Sequence, residues 1–160
     1  MIDNKTDNFL FLHPIDDSDE SCERTCAELR IYSGKMKPSE VTEIMGIKPT
    51  EEVIAGEKHY GIMTGRVRID KVNCWFLSSE TFVISKDLRR HLDWIYERLE
   101  PRTEAIKLLQ AERGVEMLVH CIWWSQFGGG GPTLWPKQMR NLADLNLECT
   151  FDFQYYGDEE

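Results

Sequence analysis

The sequence predicts an α+β domain: three helical segments packed on one face of a mixed four- or five-stranded sheet. A duplicated ferredoxin-like strand–helix arrangement is the candidate topology. Three observations predict it. Two-residue alternation, the mark of a half-buried strand, recurs at 25–33, 72–79, 115–124 and 147–156. Between these stretches run apolar positions spaced three and four apart, as in a helix with one buried stripe. The segments opening on Pro38 and Pro136 each follow a strand and resemble one another, a faint repeat of one strand–helix unit. Helices on a single face would bury every apolar stripe.

In order, Phe9–Leu12 reads as a candidate edge strand, stopped by Pro14, and Asp16, Asp17, Asp19 and Glu20 as an acidic linker. Ala27, Leu29 and Ile31 then oppose Cys26, Glu28, Arg30 and Tyr32. Pro38 suits a first helical position, and Gly46 ends that helix. Ile47–Asp70 is the least patterned region, with one short strand at 66–69. Val72–Ser79 is apolar on both faces, as a central strand requires. Leu88, Leu92, Ile95 and Leu99 make the clearest helical stripe, with His91 beside it, Arg89 and Arg90 largely outside, and Ser85 as N-cap. Pro101 interrupts that helix, Thr103 caps its continuation, and Gly114 closes it. Val119, Cys121 and Trp123 share one strand face; Leu118, His120, Ile122 and Trp124 share the other. A short helix uses Met139, Leu142 and Leu145. In the last strand Phe151 and Phe153 share parity with Leu147 and Cys149 and are expected to be buried under the helices. The domain layout is therefore a flexible acidic segment at 1–21, one α+β domain at 22–156 and an acidic tail at 157–160.

With 160 residues, 41% apolar and 29% charged, the chain can form a real core. Its net charge of -9 argues against unaided attraction to nucleic acid or an anionic membrane. No stretch reads as a signal peptide or a membrane span. Five cysteines, an odd count, fit free thiols in a reducing cytoplasm, the expected location.

The motifs resemble a bacterial family, domain-of-unknown-function family 4279. They are Thr25–Ile31, Pro38 with Val41 and Thr42, Gly46–Thr50, Trp75 with Ser78–Glu80, and His91–Trp94 with Leu99–Pro101. The tryptophan pair Trp123–Trp124 and the run Gly129–Leu134 complete the set. The resemblance spans roughly 22–156 and implies no activity, cofactor or catalytic residue. It implies a small cytoplasmic protein found near polymorphic-toxin immunity genes.

The residues themselves offer little chemistry. Gly128–Gly131 lacks phosphate-loop spacing, and Pro132 removes a donor. Cys22, Cys26 and His13 fall short of a four-ligand zinc set, so no metal or cofactor is expected. His120 and Cys121 are strand neighbours and point to opposite faces. Four glycines in a row serve either a close backbone crossing over the tryptophans or a loop that meets a partner. The leading reading is an intracellular protein-binding module, a candidate toxin-neutralising immunity protein. Its partner would be a toxin domain, met through Trp124, Gln126, Phe127, Gly129, Gly130 and Gly131, with Glu28, Arg30, His120 and Asp152 on the adjoining sheet face. The alternative is a small hydrolase or small-ligand-binding protein using that same face. No catalytic residue is assigned.

Overall fold

The computed structural model describes residues 11–60 and 65–157. Seven strands and four helices follow in chain order: β1 Cys22–Gly34, α1 Pro38–Met45, β2 Glu51–Val53, β3 Lys58–Tyr60, β4 Val67–Ile69 and β5 Asn73–Ser78. Then come α2 Leu88–Leu99, α3 Thr103–Ala111, β6 Glu116–Ser125, α4 Pro136–Asp144 and β7 Glu148–Gln154. A 3-10 turn at Glu100–Arg102 joins α2 to α3, where Pro101 forbids a continuous helix. Counting that broken pair once, three helical segments cover one face of a mixed five-stranded sheet.

The sheet order is β2-β5-β1-β6-β7. All neighbours are antiparallel except β6 and β7. Both β1-α1-β2 and β6-α4-β7 are therefore strand–helix–strand units with parallel strands. In the first, β5 sits between the two strands, the split arrangement of ferredoxin-like folds; in the second, the strands touch. The repeat extends to the helix starts. Each has proline first, and the backbone N–H just before it donates to the side chain three residues on. Lys37 donates to Glu40 at 2.8 Å and Trp135 to Gln138 at 3.0 Å. One side of a capping box thus holds both helices.

Alternation in β1 sorts the two sheet faces as expected. Ala27, Leu29 and Ile31 are buried with Val119, Cys121, Trp75 and Leu77 beneath the helices. Trp75 is fully enclosed, and its indole N–H donates to Thr42 of α1 at 3.0 Å. His91 Nδ1 lies 2.8 Å from Ser79 Oγ, and its Nε2 is 2.9 Å from the Ser85 carbonyl, to which it donates. Burial lowers the His91 pKa against the opposing Ser85 bond and Asp87 charge, so the ring is held neutral.

Several expectations are corrected. The N-cap of α2 is Asp87, which accepts from the Arg89 N–H; Ser85 instead binds the Asp87 N–H. Thr103 is the first residue of α3, not its cap. Arg89, expected outside, is only 2% exposed. It meets both Asp87 oxygens and donates to the carbonyls of His13 (2.7 Å) and Pro14 (2.8 Å). Its guanidinium also covers Trp135 at 4.5 Å. In α4 the buried residue is Gln138, bonded to Asp93 at 2.9 Å, while Met139 faces water. The strand expected at 66–69 pairs with β3 in a separate two-stranded hairpin, off the main sheet. Phe9 and Leu10 lie outside the described residues, and no strand is present at Phe11 and Leu12.

The largest correction concerns β7. Pairing with Cys121 and Trp123 sets Phe151 and Phe153 on the helical side, as parity requires. Yet they are 41% and 61% exposed. β7 is an edge strand, and the helical layer ends before it. Cys149 still packs on the core, but the two phenyl rings stack on each other, 6.3 Å between centroids.

Candidate functional site

The predicted site residues fall into two groups. Glu28, Arg30, His120, Trp124 and Asp152 share the face of the sheet opposite the helices, set there by strand alternation and by the pairs Glu28–His120, Arg24–Trp124 and Ile122–Asp152. Gln126, Phe127, Gly129, Gly130 and Gly131 form the loop leaving β6 at the end of the sheet.

On the open face the polar groups satisfy one another. Glu28 accepts from Arg30 Nε at 2.6 Å, a charge-assisted bond of two half-buried groups. His120 Nδ1 lies 3.0 Å from Thr150 Oγ1, and its Nε2 is 4.0 Å from the Asp152 carboxylate. Burial and the Arg30 charge lower the His120 pKa, opposed by Asp152 and Glu28. Asp152 also accepts from Gln154 at 2.8 Å. Trp124 lies under the Arg24 guanidinium, 3.9 Å from the ring centroid, a cation–π contact. Its indole N–H is buried without a hydrogen-bond partner among the described residues, as is that of Trp123. Trp124 is half-buried, with its ring lying on the sheet beneath Arg24.

The loop is held differently. Gln126 N–H donates to the Ser21 carbonyl at 2.8 Å, and Ser125 Oγ donates to the Gly129 carbonyl at 2.7 Å. Gly130 has φ +79°, and a Cβ there would sit 2.5 Å from Ser21 Oγ. At Gly128, φ +78°, a Cβ would come 3.2 Å from the Tyr155 ring. A side chain at either position would meet both steric and backbone penalties. These two glycines thus approach Ser21 and Tyr155, not the tryptophans they were expected to cross.

The loop and the end of β7 together make an aromatic corner. Phe127 (74% exposed), Tyr155 and Tyr156 stand in water, Tyr155 over Gly128 and Phe153 beside Gly131. Sequence reasoning found Phe127 and the glycines but missed Phe153, Tyr155 and Tyr156. The available signal was the aromatic run closing the last strand, of which Phe153 is expected to be buried under the helices. Arg24 was also missed, because nothing local shows that it stacks across the sheet on Trp124.

Among the described residues no helix is long and apolar enough to cross a membrane, and no group of three or more His, Cys, Asp or Glu side chains is placed to hold a metal ion. The five cysteines are free; the sulfurs of Cys121 and Cys149 lie 3.6 Å apart. A family model described as a domain of unknown function, DUF4279, matches residues 22–156. No curated protein and no solved structure matches the chain.

Proposed function

The chain belongs to the DUF4279 family, and from that premise we propose that it is a protein-binding module whose contact surface is the aromatic corner. The observation that carries this reading is the exposure of Phe127, Phe153, Tyr155 and Tyr156, with Tyr155 against Gly128 and Phe153 beside Gly131 of a loop of bare backbone. Rings of this size bury much area and dominate interface energetics. Glycines beside them let a partner's main chain come close. The acidic surplus suits a basic partner, attracted before contact. The finer proposal is a toxin domain as that partner, neutralised in the cytoplasm, the partner class implied by the family resemblance.

The hydrolase or ligand-binding reading has weaker support. Glu28 is taken up by Arg30 and His120 Nδ1 by Thr150, which leaves His120 Nε2, 4.0 Å from Asp152, as the remaining acid–base contact of the predicted site residues on the open face.

Calorimetric titration against the product of an adjacent toxin-like gene tests the proposal. Phe127→Ala and Tyr155→Ala should each weaken binding by about tenfold or more, roughly 1.4 kcal/mol, while the melting temperature barely moves. Parental affinity in both variants would sink this assignment of the contact surface. Turnover of a substrate that disappears in Glu28→Gln with Asp152→Asn would favour the enzyme reading instead.

A further inference from the structure

The outer side of β7 is a second surface, which shares Phe153 with the corner but is read out without its partner. β7 is seven residues long and, among the described residues, has a paired strand on one side only. Its outward N–H and C=O groups form a ready template for another strand. Its sequence, Glu-Cys-Thr-Phe-Asp-Phe-Gln, then limits which strand fits.

We infer that β7 pairs antiparallel with β7 of a second copy of this chain, about a two-fold axis through Phe151, joining two five-stranded sheets into one. In this register Cys149 lies opposite Phe153 of the second copy. Thr150 lies opposite Asp152, and Glu148 opposite Gln154. Each acidic side chain therefore faces a neutral hydrogen-bonding group. The neighbouring symmetric registers are worse. An axis through Asp152 sets two aspartates face to face, and one through Thr150 sets Glu148 against Asp152; like charges directly opposite are destabilising. The register through Phe151 also brings both Phe151–Phe153 stacks together on the helical side, where each chain leaves them exposed. Both helical layers then lie on one face, and a continuous aromatic ridge fills the gap between them. The dimer is isologous and closed, so it consumes both open edges and does not propagate.

Sedimentation velocity of the full chain, from about 1 to about 200 µM to cover weak and tight dimers, tests this. The parent chain should shift from monomer to dimer across that range. The dimer should tighten with added salt, which screens repulsion between two copies of net charge -9. Thr150→Asp sets a carboxylate opposite Asp152 twice per dimer and should weaken association about tenfold or more. Adding Asp152→Lys to that variant turns both repulsions into attractions and should restore the dimer, and an unchanged melting transition shows that the single variant folds. A parent chain that stays monomeric throughout, a dimer indifferent to Thr150→Asp, or no rescue by the second change would each overturn the inference. None of these readouts involves the heterologous partner, so the two proposals fail separately.

Discussion

The two edges of the sheet solve the same problem in opposite ways. β2 ends one side with three residues, two of them glutamates, and its Glu52 lies opposite the enclosed Trp75. β7 ends the other side with seven residues, and its Phe153 lies opposite Trp123 but remains in water. Short length and charge are the usual means of blunting an edge. On the β2 side the core closes before the edge is reached. On the β7 side apolar surface runs past the last helix and out to the margin. An edge strand's character is thus set by where the covering layer stops as much as by its own residues.

The two sides differ most between Trp75, one strand behind the β2 edge, and Phe153, on the β7 edge itself. Trp75→Ala should destabilise the fold by about 3–5 kcal/mol, because it empties an enclosed site and frees the Thr42 hydroxyl. Phe153→Ala should cost under about 1 kcal/mol, since an exposed ring has little burial to lose. Urea unfolding of both variants measures the difference. Comparable losses would mean that the β7 margin is as well covered as the β2 side.

A smaller effect separates the two histidines, one behind the core and one beside β7. Both have folded pKa values below 6.5, so their contribution to stability is present above that pH. As pH falls below 6.5 the unfolded chain takes up protons before the folded chain does, and stability declines. The limit is about 1.4 kcal/mol per pH unit for one group. His91, enclosed between Ser79 and Ser85, should account for most of this slope; His120 faces Asp152 and partial solvent and should account for less. Unfolding free energies between pH 5 and 7 should therefore depend less on pH in His91→Gln than in His120→Gln. The reverse ranking would show that the face beside β7 is the drier of the two.

The smallest expected effect lies at the blunt edge. Glu51→Thr with Glu52→Thr should leave the sedimentation behaviour of the chain unchanged, because three residues offer too short a ladder even without charge. New association in that variant would show that charge alone had kept β2 unpaired.

Much of this architecture could be read from the sequence where period and burial coincide. The alternation at 25–33 sorted β1 correctly because β1 is paired on both sides and one of its faces is covered by the helices. The stripe at Leu88, Leu92, Ile95 and Leu99 did the same for α2. Failures arose where parity was right and coverage was not. Phe151 and Phe153 point to the helical side, yet no periodicity reveals that the helices end short of β7. Arg89 failed for the converse reason, and Gln138 takes the buried place expected of Met139. A polar side chain on a helix is expected outside, and only distant groups, the carbonyls of His13 and Pro14 and the carboxylate of Asp93, make its burial affordable. The candidate site divided along the same line. The glycine loop and open face were legible as local patterns, while the aromatic corner depends on Gly128 meeting Tyr155 across the sheet end.

The Arg89 cluster has a consequence for where this folding unit begins. The family match starts at Cys22, yet Arg89 donates to carbonyls at His13 and Pro14, Asp87 accepts from the Asp16 N–H, and the Trp135 indole donates to His13. A fragment cut at the family boundary would keep every strand and helix of the main sheet. It would also strand an enclosed guanidinium, a carboxylate and an indole without acceptors or donors they now share. The stretch at 13–16 acts as a latch across the start of α2 and the start of α4, from outside the recognisable motif.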